Sequence, residues 1–129
     1  MIKQLIDIDD KWSIIVYYII SNKDYNTLKY ELRRNGCQEM EVQSIYDKML
    51  SGMVMGFTIN DFTNKISIIG INRHNDESEY LSTIVHEAEH AKEAMLSYYS
   101  VENKDEPPAY TIGYIIKRMY STFKYFICK

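Results

Sequence analysis

The stretch from Trp12 to Ile20, WSIIVYYII, constrains the fold more than any other part of the chain. It is short, β-branched and aromatic, almost without polar interruption, and closed by Ser21-Asn22. A half-exposed strand alternates apolar and polar residues, whereas a continuously apolar one is covered on both faces. The chain must therefore supply layers on either side of this strand. The run is far too short for the ~18–20 residues of a membrane span, so no membrane association is expected. At 129 residues the chain reads as a single domain over residues 1–129. A chain of that size buries roughly 65–70% of its unfolded surface, enough for one core without staples.

The remaining periodicity supplies the layers. Tyr25, Leu28 and Leu32 recur at helical spacing after Asp24, a candidate N-cap, and Gly36 follows as the stop. A second helix is predicted from about Gln38 to Leu50, with Val42, Ile45 and Met49 on one stripe. Met53–Ile59 and Lys65–Ile71 read as two strands joined by a loop at Asn60–Asn64. From Ser78 to about Tyr99 the pattern is helical, capped by Asn75 or Asp76. Pro107-Pro108 then open a last helix bearing Ile112, Ile115, Ile116, Met119, Phe123 and Phe126. The predicted order is β-α-α-β-β-α-α, an α+β domain.

Within the helix predicted from Ser78, Ile84 to Ala91 reads IVHEAEHA, so His86, Glu87 and His90 form H-E-x-x-H. Residues four apart share a helix face, and two imidazoles so placed can reach one Zn²⁺ at about 2.0–2.1 Å. Glu87, one step round, is then directed at a water beside the metal. Shuffling a chain with this His and Glu content produces the motif roughly 0.4% of the time. On a helical wheel Tyr80, Leu81, Ile84, Val85, Ala88, Ala91, Met95, Leu96 and Tyr99 form the core stripe, and the histidines fall opposite it. That placement argues against a core histidine. A pair of solvated surface histidines is the plain alternative.

A catalytic zinc takes three protein ligands and an open fourth position. The extended histidine motif is excluded, because its third histidine would fall at Leu96 and its glycine at Glu93. His74, in the preceding loop, is a minor candidate as ligand or as a donor to a developing oxyanion. The acids downstream are Glu102, Asp105 and Glu106. Glu106 is favoured because Pro107-Pro108 fix the backbone at a helix start, placing it on the first turn. Ala109 and Gly113 share its face and are small enough to allow close helix approach, and Tyr110 is a candidate donor to the reacting oxygen. An acid at a helix N-terminus is also simply favoured by the dipole.

HEAEH, followed sixteen residues later by Glu106 in EPPAYTIGY, resembles a short gluzincin-type zincin. More narrowly, Thr83-Ile84-Val85-His86-Glu87 and Asp105-Glu106-Pro107-Pro108-Ala109-Tyr110, then Gly113-Tyr114, resemble small HExxH proteins of phages and mobile elements of gut bacteria. The resemblance covers roughly residues 53–127. It implies a minimal zincin-like domain, with His86, His90 and Glu106 as zinc ligands and Glu87 as general base. It further implies a metallopeptidase acting on a peptide or protein substrate, without the second lobe of the larger peptidases. An extended peptide is expected at a hairpin edge, Lys65–Ile71.

Other classes are less well supported. Fifteen Lys+Arg against eighteen Asp+Glu give a formal charge of −3, with no basic block for a nucleic-acid partner. The twelve tyrosines read as packing residues. Cys37 and Cys128 have no ligand spacing and read as free thiols in a cytoplasmic protein. The N-terminus lacks the pattern of a secretory leader. The main alternative to a peptidase is a zincin-like zinc-binding module serving regulation or protein interaction, and a weaker one is hydrolysis of another amide. Oligomeric state is not legible from these residues.

Overall fold

The computed structural model describes residues 1–99 and 106–127, with side chains over 1–99 and 108–126. A four-stranded mixed sheet forms the middle layer, in the order β1-β2-β4-β3. These strands are β1 (Ile2–Ile8), β2 (Trp12–Ile20), β3 (Gly56–Asp61) and β4 (Ile66–Asn72). Helices α1 (Tyr25–Arg34) and α2 (Glu39–Leu50) cover one face, and α3 (Glu77–Tyr98) and α4 (Glu106–Ile127) cover the other. The class is α+β, as expected. The order is β-β-α-α-β-β-α-α, so the predicted order lacks a first strand.

The missed strand pairs antiparallel with β2 along its whole length, Ile2 opposite Tyr18 through Ile8 opposite Trp12. Its own sequence is a weak signal, since only Ile6 and Ile8 are buried and Leu5 faces outward. Partnership with β2 makes it a strand. β2 runs parallel to β4, and β4 runs antiparallel to β3.

β2 carries both cores. Ile14, Val16 and Tyr18 pack under α3 and α4, while Ile15 and Tyr17 pack under α1 and α2. Ile19 breaks the alternation: its φ is +56°, the pairing with β4 shifts there, and Ile20 joins the α1–α2 core. Left-handed backbone is unfavourable for a β-branched residue, and burial of Ile20 offsets that cost.

The caps follow simple chemistry with one correction. Asp76 caps α3, its carboxylate accepting from the N–H groups of Ser78 at 2.8 Å and Glu79 at 3.1 Å. Asp24 does not cap α1. A single 3-10 turn over Asn22–Asp24 precedes that helix, and the Asp24 carboxylate accepts instead from the Ser21 N–H at 2.9 Å. Gly36, with φ of +89°, ends α1 where an L side chain would be strained.

Two expected helix faces are rotated. On α3, Leu81 and Val85 are exposed, whereas Glu87 and Lys92 are buried. The wheel assumed one covering surface, but α3 is covered by the sheet and by α4 together. On α4, Ala109 and Gly113 are exposed, and a methyl group at Gly113 would meet nothing within 4 Å. The helix is docked by its larger apolar residues Ile115, Met119 and Phe123, so its small residues do not bring it close.

Candidate metal centre

α3 passes beside β3, one of the two edge strands of the sheet. β4 lies inside, paired on both sides, so Lys65–Ile71 is not the exposed edge expected of it; the edge strand beside α3 is β3. Between the two elements lies a groove of about 540 Å³, lined by Gly56, Thr58, Asn60, Thr83, His86, Glu87 and His90 among others.

His86 and His90 are exposed at the groove, their rings edge-to-face with centroids 4.8 Å apart. Their Nε2 atoms stand 3.2 Å apart. Two nitrogen ligands on a tetrahedral zinc, each at about 2.0–2.1 Å, stand roughly 3.3–3.4 Å apart. The two imidazole nitrogens are therefore spaced as two ligands of one zinc ion would be. Ligand atoms of His86, Glu87 and His90 all lie within 4.8 Å of one another.

Glu87 is buried, with 7% of its surface exposed, although it lies between two exposed histidines. The cause is β3. Thr58 Oγ1 donates to Glu87 Oε1 at 2.8 Å and also lies 3.1 Å from the Glu87 carbonyl oxygen. One carboxylate oxygen is thus held by the strand. A Cβ added at Gly56 would stand 3.1 Å from Glu87 Cγ and 2.7 Å from Thr83 Cγ2, so glycine lets β3 approach α3 this closely.

His74 is taken up elsewhere. Its Nδ1 lies 2.7 Å from the Asn72 carbonyl oxygen and its Nε2 lies 2.8 Å from Thr83 Oγ1. Both nitrogens are engaged in tying the loop to α3, which leaves neither for a metal or an oxyanion. Tyr110 is 72% exposed on α4 and does not line the groove. Glu106 is the first residue of α4; its side chain, with Asp105 and Glu102, lies outside the described residues. Cys37 is half-buried, and burial, with Glu41 and Asp61 nearby, pushes its thiol up to about 11. A thiol so protonated is a poor nucleophile at neutral pH.

Sequence reading passed over Thr58 and Asn60. Their signal was present: in Gly56-Phe57-Thr58-Ile59-Asn60 the polar residues alternate with apolar ones, so they share one face of β3. Phe57 and Ile59 point to the α1–α2 core.

No protein-family model matches the chain, and no match was found among the curated proteins or the solved structures compared with it. The functional reading consequently rests on the groove itself. Among the described residues no helix is long and apolar enough to cross a membrane.

Proposed function

We propose that the chain is a zinc-dependent, metallopeptidase-like hydrolase of peptide bonds, a minimal zincin of the gluzincin type. The observation that carries this reading is the 3.2 Å convergence of the two Nε2 atoms beside a buried carboxylate. His86 and His90 would hold the zinc, and Glu106, one of three acids near the start of α4, would complete the set. Bound there, zinc would lower the pKa of a coordinated water towards ~7 and polarise a scissile carbonyl.

Each protein group then has a separate task. Glu87 accepts a proton from the attacking water and passes it to the departing amine. Thr58 keeps one oxygen of that carboxylate occupied, which leaves the other to face the groove. A module that only binds metal has no use for a general base held in this way, and this favours hydrolysis over the regulatory alternative. A peptide laid along β3 would add to its free edge through main-chain hydrogen bonds.

The deciding experiment measures zinc content and peptide cleavage on the same preparations. Wild type should hold one zinc per chain and cleave a randomised peptide mixture. His86→Ala should lose the zinc, and Glu87→Gln should keep it while losing cleavage. Cleavage by Glu87→Gln at the wild-type rate would refute the general-base assignment.

A further inference from the structure

A buried polar relay runs from the core to the groove. Trp12, 1% exposed, donates its indole Nε1–H to Ser67 Oγ at 2.9 Å. Ser67, fully buried, donates its hydroxyl proton to Asn60 Oδ1 at 2.6 Å. Asn60 and Ser67 are directly paired across β3 and β4, so backbone register enforces the contact. The Trp12 ring is itself wedged against Phe62 and Tyr98, at centroid distances of 6.0 and 5.7 Å.

This relay decides which way the Asn60 amide faces. Indole is only a donor, so it occupies Ser67 as an acceptor and leaves the hydroxyl proton in need of an acceptor of its own. Turning the amide over would set its NH2 against Ser67 and leave that proton unpaired in a fully buried site, which is costly. Asn60 Oδ1 is therefore committed to Ser67. Among the described residues no acceptor faces its Nδ2, and the half-buried side chain lines the groove together with His86, Glu87 and His90.

We infer that Asn60 is a substrate-binding residue whose Nδ2 donates to a main-chain carbonyl oxygen of a peptide in the groove. The inference rests on the hydrolase reading for the choice of a peptide ligand. The direction of the relay sets the donor role: Oδ1 is turned toward Ser67, which leaves Nδ2 as the group offered to the groove. The relay also holds the amide fixed before binding, so the contact forms without ordering a mobile side chain. The expected loss on removing one such neutral hydrogen bond is on the order of tenfold in affinity.

The test uses the full zinc-loaded chain, the Glu87→Gln variant to keep peptides intact, and acetylated, amidated tripeptides randomised in side chain. With ¹⁵N-asparagine labelling, the Asn60 NH2 pair is the one missing in Asn60→Asp. That pair should shift progressively as the tripeptides bind. Asn60→Asp keeps an acceptor for Ser67 but has no donor, and it should bind the mixture about tenfold more weakly with unchanged zinc content. Ser67→Ala, which frees the amide to turn, should weaken binding by a smaller factor. A motionless Asn60 pair under saturating peptide, or wild-type affinity in Asn60→Asp, overturns the assignment. A shift of that pair without cleavage by the wild type leaves Asn60 in place and overturns the hydrolase reading; cleavage with a motionless pair does the opposite. Absence of any binding overturns both.

Discussion

Thr58 on β3 and Glu87 on α3 are joined at 2.8 Å, twenty-nine residues apart in the chain. This bond ties the carboxylate proposed as the general base to the strand rather than to its own helix. Thr58→Val keeps the shape and removes the donor, so kcat should fall on the order of ten- to hundredfold while KM and zinc content change little. Thr58→Ser retains the hydroxyl and should recover most of the rate. Equal kcat for Thr58→Val and wild type would show that the bond does not position the base.

Zinc should stabilise the folded chain, because the two histidines converge only when α3 is formed. With free zinc at a hundred times the dissociation constant, linkage contributes about 2.7 kcal/mol. The thermal midpoint of wild type should rise with zinc, and that of His86→Ala or His90→Ala should not. Glu106→Ala should retain a weaker rise; a full wild-type rise would pass the third position to Asp105 or Glu102.

Gly56 sets the spacing between β3 and α3. An alanine there places its methyl 2.7 Å from Thr83 Cγ2 and 3.1 Å from Glu87 Cγ. Gly56→Ala should destabilise by about 1–3 kcal/mol in urea unfolding. Thr83→Ser removes the closer methyl but keeps the hydroxyl that meets His74. The double variant Gly56→Ala/Thr83→Ser should therefore be more stable than the two single effects added together. Strict additivity would mean that the strand, not Thr83, absorbs the clash.

Asp76 couples α3 to pH. The Ser78 hydroxyl, then the N–H groups of Glu79 and Ser78, hold its carboxyl below the usual carboxylate range. A carboxyl depressed in the folded state contributes stability above its unfolded pKa and loses it as pH falls through the folded value. The wild-type thermal midpoint should thus exceed that of Asp76→Ala above about pH 5, and the gap should close as pH falls below about 4. A gap independent of pH would show that the charge of the Asp76 carboxylate is not what stabilises the helix start.

Much of the architecture was legible because it is local. The unbroken apolar run of Trp12–Ile20 required cover on both faces, and helices flank the sheet on each side. Helical periodicity placed His86 and His90 on one exposed face of α3, since four residues of helix bring side chains together whatever surrounds them. Pairing across the chain decided the rest. Ile2–Ile8 is a strand because β2 satisfies its backbone, β3 is an edge strand because β4 pairs parallel with β2, and Glu87 is buried because Thr58 reaches it. The same holds for Asn60, whose orientation depends on Ser67 and, through it, Trp12. The sequence alone determined which residues lie on one turn of helix, because that spacing is covalent geometry. Only the tertiary structure decided which donors and acceptors meet across elements, because those contacts depend on strand register and helix docking.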